Sequence, residues 1–298
     1  MLYDIIKIGI VSILKERLMI ETIAEIKQYL KQYAYGKTIG FVPTMGYLHR
    51  GHLSLVEQCK RENDVTVVSI FVNPKQFGPD EDFNIYPRDI ARDLKLLEDL
   101  EVDIVFSPSL AEIYPTGYST YVEMEKLGEV LCGKSRPGHF RGVATIVLKL
   151  FNIVEPTRAY FGQKDAQQAV VIKKMVNDLN LDIVIRIMPI VRDPDGLALS
   201  SRNVYLSRKE RAAALCMQVA LQKVRTKILD GLRDVSLVKD MLQRMMNKEL
   251  LIKVDYLEVV SLDGLEKLEE IDMRNTLVAV AIWVGNTRLI DNFILGEI

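Results

Sequence analysis

At 298 residues, 49% of them hydrophobic, the chain is long enough for two domains or for one large α/β domain with an appendage, and it can bury a sizeable core. Its 39 basic and 40 acidic residues leave a formal net charge of −1, which excludes a whole-molecule field for nucleic acid and confines any anion site to a local patch. Cys59, Cys132 and Cys216 show no CxxC spacing, so a disulfide framework or structural zinc is not expected and a reducing, cytoplasmic compartment is.

The first 20 positions are apolar but interrupted by Asp4, Lys7, Lys15, Glu16 and Arg17. The uncharged run over 8–14 falls far short of the roughly 18 residues a membrane span needs, and no small-residue cleavage site follows it. Neither a span nor a signal peptide is expected. Residues 1–18 read as an N-terminal extension, either an added amphipathic segment or the product of a start placed ahead of the true one at Met19. The second reading is preferred because the first helix cap follows directly.

That cap is Thr22-Ile23-Ala24-Glu25, a capping-box pattern opening a helix with Ile23, Ile26 and Leu30 on one face. Strands and helices then alternate: strand 38–42, helix 52–63, strand 65–71, helix 88–100, short strand 103–106, helix 144–154 stopped by Pro156, strand 159–161, helix 165–179 and strand 182–188. This βαβα order with continuous apolar strands predicts an α/β domain whose parallel sheet is covered on both faces. After Pro189 a polar, turn-rich stretch leads to two helices near 208–229 and 236–251, then strands near 255–260 and 277–283. A boundary is therefore placed near residue 190, with a smaller α+β domain over 191–298.

His49, His52 and His139 are the only histidines. The first two lie in Pro43-Thr44-Met45-Gly46-Tyr47-Leu48-His49-Arg50-Gly51-His52, between a buried strand and a helix. The first backbone N–H groups of a helix lack partners and the macrodipole is positive there, so phosphate binds. Gly46 and Gly51 permit a tight bend, and the two imidazoles can donate to phosphate oxygens as charge develops on a leaving pyrophosphate. A bare HxGH fits an incidental surface loop equally well; the strand, turn and helix around it favour the phosphate site.

A second strand-to-helix junction, Tyr160-Phe161-Gly162-Gln163-Lys164-Asp165-Ala166-Gln167-Gln168, lies on the sheet edge where open α/β folds bind ligands. Lys164 offers a point charge to phosphate and Gln168 lies a turn further in, although a lysine there is commonly just solvated. Leu199-Ser200-Ser201-Arg202-Asn203 joins two hydroxyls to a guanidinium suited to phosphate, and reads equally as a cap and linker. Gln76, in Phe71-Val72-Asn73-Pro74-Lys75-Gln76-Phe77-Gly78, can orient a hydroxy-acid by donating and accepting together. Arg136-Pro137-Gly138-His139-Phe140-Arg141-Gly142 sets the third histidine between two arginines; chemistry alone does not choose between a site and a tight turn.

PTMGYLHRGH, SIFVNPKQFG, YPRD, RPGHFRGVAT, YFGQKDAQQ and LALSSRN, in this order, closely resemble the pantothenate synthetase (pantoate–β-alanine ligase) family over about residues 22–293. HxGH alone is shared across a nucleotidyltransferase superfamily; the ordered set is far more specific. The resemblance implies a Rossmann-like domain over 19–190, a C-terminal lid over 191–298, a homodimer, and ATP-dependent condensation of pantoate with β-alanine, with magnesium. It implies an ATP site of Met45, Gly46, Tyr47, Leu48, His49, Arg50, Gly51, His52, Gly162, Gln163, Lys164, Asp165, Val191, Leu199, Ser200, Ser201 and Arg202. His52 stands in the family's general-acid position; His49, Lys164 and Arg202 join it as candidate catalytic groups, and Gln76 and Gln168 would hold pantoate. Where some members carry paired aspartates associated with magnesium, this chain has Arg92-Asp93, leaving Asp93 as the candidate metal ligand. The rival readings are a nucleotidyltransferase and a non-catalytic nucleotide-binding module.

Overall fold

The computed structural model describes residues 19–79 and 81–297; the extension over 1–18, and with it the two readings of its origin, lies outside them. Six strands, β1 (Met19–Ile20), β2 (Ile39–Thr44), β3 (Val65–Ile70), β4 (Ile104–Phe106), β5 (Arg158–Gly162) and β6 (Val184–Met188), form a sheet in the order β1-β4-β3-β2-β5-β6. Every pairing in it is parallel. Successive strand residues point to opposite faces, so the apolar runs feed two cores at once. Phe41 and Val67 enter one core, packed beneath α1 (Ile23–Tyr33) and α6 (His139–Val154), whereas Val42 and Val68 enter the other, beneath α2 (Arg50–Glu62) and α3 (Ile90–Asp99).

The helices start where side chains can take up orphan N–H groups. Thr22 caps α1 through the N–H of Glu25, and Asp89 caps α3 through that of Arg92. The short helices α4 (Leu110–Ile113) and α5 (Cys132–Ser135) precede α6, and α7 (Ala166–Asp178) follows β5. Helix α6 begins at His139, not at 144. Gly138 takes a left-handed turn (φ 79°) and the histidine–arginine stretch becomes the first turn of the helix.

Beyond β6 come α8 (Arg208–Leu229), opened by a Ser207–Glu210 capping box, and α9 (Val235–Met246). They pack on an antiparallel sheet of β7 (Ile252–Val260), β8 (Asn275–Val284) and β9 (Thr287–Gly296). Strand β9 was not anticipated: Asp291 and Asn292 break its apolar pattern, yet both are buried. Leu277 and Ala279 of β8 also enter the core of the first sheet, with Ile290 and Ile294 of β9 packed against it, so the two layers share an interior.

One close approach sets the geometry at the edge of the parallel sheet. Gly142, in the first turns of α6, lies against the short 3₁₀ turn Pro74–Gln76, where an added Cβ would fall on the carbonyl of Lys75 and 2.6 Å from the Gln76 nitrogen. Backbone cannot yield as a flexible side chain does. Gly142→Ala is expected to cost about 1–3 kcal/mol by overpacking, read as a lower urea midpoint at unchanged slope; an unshifted midpoint would show that the turn and helix separate freely.

Candidate active site

The turn after β2 is tied down almost atom by atom. Thr44 Oγ1 donates to the carbonyl of Ser69 (2.7 Å) and accepts from the Gly46 N–H (3.1 Å). Gly46 and Tyr47 then take left-handed conformations, at φ 79° and 49°. The carboxylate of Asp93, in the first turn of α3, accepts from the N–H groups of Tyr47 (2.6 Å) and Leu48 (2.8 Å). His49 is the N-cap of α2: its Nδ1 accepts from the Gly51 N–H (3.1 Å), while His52 Nδ1 accepts from the His49 N–H (3.3 Å).

The phosphate-binding expectation changes as a result. The N–H groups of Gly46, Tyr47, Leu48, His49 and Gly51 are all satisfied within the protein, so they do not wait for an anion. What faces the cavity is imidazole. A neutral ring whose Nδ1 accepts must carry its proton on Nε2, so both histidines present Nε2–H donors, with stacked rings 4.0 Å apart between centroids. Burial, then the neighbouring Lys164 charge, pushes His49 down to about 4. Burial, His49 and Lys164 push His52 well below the usual imidazole range, although the residue as a whole is only partly buried. Both are neutral donors at pH 7.

At the second edge position Lys164 lies in the 3₁₀ turn Gln163–Asp165 after β5, its ammonium 3.8 Å from the Asp165 carboxylate. Buried Asn292 of β9 spans the layers to hold this turn. Its Nδ2 donates to the carbonyls of Gln163 and Lys164 (3.0 Å each), and its Oδ1 accepts from the Gln163 amide (3.1 Å). Beside it, Asp291 takes a bidentate pair from Arg192 at 2.6 and 2.9 Å. The third element, the 3₁₀ turn Ser201–Tyr205, is capped by Ser200, and Ser201 Oγ reaches the carbonyl of Tyr47 at 3.4 Å. Arg202 is gripped by Asp82 through Nε (2.8 Å) and Nη2 (2.7 Å). Burial opposes the charge of Asp82, but the guanidinium outweighs it and holds the carboxyl below its usual range.

Gln76 is fixed by Asn73, which has no role assigned from the sequence, and by the Arg136–His139 segment, left between a site and a tight turn on sequence alone. Buried Asn73 donates to Gln76 Oε1 (3.1 Å) and to the carbonyl of Gly142 (3.1 Å), and accepts from Tyr114 Oη (2.9 Å). His139 Nδ1 lies 2.8 Å from the carbonyl of Gln76 and therefore carries the proton, which leaves Nε2 to accept from Arg136 Nη1 at 3.0 Å. Arg136 in turn reaches Glu81 through Nε at 2.7 Å. The RPGHFRG segment is thus a brace for Gln76 as well as the start of α6.

One cavity of about 250 Å³ gathers most of these groups. Met45, His49, Gly51 and His52 line it from the first turn, and Gly162, Lys164, Asp165 and Gln168 from the second. Val191, Leu199, Ser200, Ser201 and Arg202 close it from the C-terminal side, opposite Gln76. A larger cleft of about 840 Å³ opens beside it and shares Lys164, Gln168 and Arg202. Gly46, Tyr47, Leu48, Arg50 and Gln163 line neither cavity; Arg50 is exposed, and the others belong to the turns behind the lining residues. Asp93 lines neither as well, and its two oxygens face backbone N–H groups, which makes it an anchor of the turn where a metal ligand had been expected. Among the described residues no three His, Cys, Asp or Glu side chains come together as a metal-ligand set. Asn73, Tyr86, Arg136 and His139 line the smaller cavity and are additions to the expected set. Asn73 carried a legible signal, a side-chain amide at the end of a parallel strand three residues before Gln76; Tyr86 was visible only as the first residue of YPRD, with no chemistry attached.

A doubly covered parallel sheet whose strand-end turns present a histidine pair, a lysine and an arginine to one cavity defines an enzyme working on an anionic, nucleotide-like substrate. A family profile described as pantoate-β-alanine ligase matches residues 18–294. The pantothenate synthetase of Thermotoga petrophila is 58% identical over 279 residues, 93% of this chain and 99% of that one, and that of Thermosipho africanus is 56% identical over 278 residues, with the same coverage. The crystal structure of pantothenate synthetase from Thermus thermophilus superposes with a TM-score of 0.89 at 43% identity, covering 94% of this chain and all of that one. A Francisella tularensis pantoate-β-alanine ligase complexed with β-γ ATP and β-alanine gives 0.75 at 35% identity, over 93% and 97% of the two chains. The chain belongs to the pantoate–β-alanine ligase family.

The buried histidines make stability depend on pH with a definite sign. Their unfolded reference is about 6.5. In the folded protein burial, followed by the Arg136 charge, takes His139 down to about 4, as burial and Lys164 do His49. The unfolded chain binds more protons in that window, so stability is full above 6.5, falls as pH drops towards 4, and gains no further loss from these groups below it. Urea midpoints between pH 7 and 4 should fall accordingly, and His139→Gln, which can donate to Gln76 and accept from Arg136, should flatten part of the slope. A midpoint independent of pH down to about 4.5 would refute the neutral-histidine assignment.

Proposed function

We infer that the chain joins (R)-pantoate to β-alanine at the expense of ATP, through a pantoyl adenylate, with the residues of the 250 Å³ cavity as its working parts. The observation that carries this is convergence: the histidine pair, Lys164, the Ser200–Arg202 turn and both glutamines line one space, continuous with a cleft roomy enough for a nucleotide. In the first step a pantoate carboxylate oxygen bonds to the α-phosphorus of ATP while the bond to the β-phosphate bridge breaks and pyrophosphate leaves. In the second the β-alanine amine bonds to the acyl carbon, the acyl–oxygen bond breaks, AMP leaves, and the nitrogen loses a proton to solvent.

No covalent nucleophile is needed, so catalysis falls to positioning and to donors aimed where charge develops. Gln76, its amide orientation fixed by Asn73, and Gln168 would aim pantoate at phosphorus. The Nε2–H groups of His49 and His52 with Lys164, Ser200, Ser201 and Arg202 would meet the phosphates, His52 entering as a neutral donor in the general-acid position. Arg202 would exchange the single carboxylate of Asp82 for a polyanion. Because the described residues supply no ligand set for an ion, magnesium would arrive on the nucleotide, held by phosphate oxygens and water. Residues 191–298 would serve as the lid. No described helix is long and apolar enough to cross a membrane. A cytoplasmic homodimer is part of the same reading, supported by the family resemblance and by Cys59, Cys132 and Cys216 all being free.

Two assays test it. AMP release should require pantoate and β-alanine together, and labelled pyrophosphate should exchange into ATP with pantoate alone. His52→Ala and Lys164→Ala should each lower kcat on the order of a hundred- to a thousandfold while weakening ATP binding far less. Exchange that strictly requires β-alanine would sink the free adenylate; accumulation of a nucleotidylated product would favour a nucleotidyltransferase.

A further inference from the structure

We propose that Asp93, with Arg92 beside it, is a positioning residue for the nucleotide-binding turn and holds no metal. This rests on the reading of the His49–His52 turn as the triphosphate site. Asp93 is 1% exposed, and its two oxygens divide between two converging donors, Oδ2 on the Tyr47 N–H (2.6 Å) and Oδ1 on the Leu48 N–H (2.8 Å). The preceding residue completes the grip: Arg92 Nη2 donates to the carbonyl of Leu48 (2.9 Å), and its guanidinium lies 5.2 Å from the centre of the Tyr47 ring. Both backbone groups of Leu48 are therefore held by consecutive residues of α3.

The cradle accepts no side chain at Gly46, where a Cβ would stand 3.0 Å from Asp93 Oδ2 and 2.9 Å from Ile70 Cγ2. Tyr47 is held at φ 49°, a conformation an L-residue adopts only when its surroundings fix it. Leu48 is fully buried, and the next residue is the cap whose imidazole faces the cavity, so a displaced turn moves both Nε2–H donors. The residue type follows from the geometry. Two backbone donors converge on one side chain, which a carboxylate satisfies twice, whereas an amide would turn an NH₂ against an N–H. Asp89, one turn earlier, is exposed and occupied as the cap of α3.

The test compares Asp93→Asn with the unaltered protein in two ways. Without any substrate, hydrogen–deuterium exchange should quicken in the segment spanning 44–53 and stay unchanged in β7–β9. In steady state, kcat should fall about ten- to a hundredfold, as for a misplacement near 1 Å, and KM for ATP should rise while KM for pantoate and the half-saturating Mg²⁺ concentration hold. Unchanged exchange, or lost activity that returns when Mg²⁺ is raised, overturns the proposal. Should Asp93→Asn fail to fold, Arg92→Ala removes the Leu48 carbonyl bond and the guanidinium beside the Tyr47 ring and Asp93 while leaving both N–H contacts of Asp93, and should give the same pattern at lower amplitude; wild-type exchange and kinetics in that variant also overturn it. If the unaltered enzyme releases no pantoate-dependent AMP, the functional reading fails, and the exchange comparison still decides the brace.

Discussion

The constraint from which the site follows is the backbone accounting at the junction of β2 and α2. A helix start leaves N–H groups without partners, and a fold commonly solves this with a serine or aspartate cap or leaves the groups for a ligand. Here two histidines do the capping. His49 Nδ1 takes the Gly51 N–H and His52 Nδ1 takes the His49 N–H, while Asp93 absorbs two more donors upstream. Spending both Nδ1 atoms on backbone fixes the tautomer of both rings and turns their protonated Nε2 atoms outward. Burial then keeps the rings neutral, so the donors are ready without the cost of holding two imidazolium ions side by side next to Lys164.

The parallel sheet supplies the rest by geometry. Strands β2, β3 and β5 run the same way side by side, so the turns that follow them lie at one edge, carrying the histidine pair, Gln76 and Lys164 respectively. No single turn closes the site. The second layer does so through polar bonds: Asn292 of β9 binds the Lys164 turn and Ser201 reaches the carbonyl of Tyr47, while Asp291 beside Asn292 holds Arg192. Hydrogen-bonded polar groups are directional and costly to leave unpaired, so they define one relative placement more sharply than apolar contact would.

Which parts were legible in the sequence follows from the kind of signal each part uses. Val65–Ile70 and Val184–Met188 announce themselves as runs of β-branched residues, and the Thr22 and Ser207 caps as local patterns, because those signals depend on neighbours in the chain. The turns carrying His49, Gln76 and Lys164 were legible as motifs at strand ends, and that of Arg202 as a hydroxyl–guanidinium cluster in the polar stretch after β6. Strand β9 was not: Asp291 and Asn292 make Thr287–Gly296 look like a loop, and only their distant partners Arg192, Gln163 and Lys164 explain why they are buried. Helix α9 is shorter than its pattern suggests, because Leu250 and Leu251 prolong the apolar run although both are exposed. The bracing roles of Asp93 and His139 are equally invisible in one dimension, since each acts on a turn far away in the chain.

The electrostatics of the site has the same logic as its backbone. A chain with a net charge of −1 has no excess of positive charge to attract a polyanion, yet Arg136, Lys164 and Arg202 are gathered in one cleft. A desolvated guanidinium without a partner is expensive, and Glu81 and Asp82 remove that cost by pairing with Arg136 and Arg202. Both carboxylates are held ionised against burial, so the pairs persist through neutral pH. Any anion that reaches Arg202 must therefore outcompete a bidentate carboxylate already in place. A lone inorganic anion gains little by that exchange. A triphosphate that also engaged the neutral imidazoles, Lys164 and the Ser200–Ser201 turn would make several contacts at once, so these carboxylate pairs would favour a ligand with charge spread along its length.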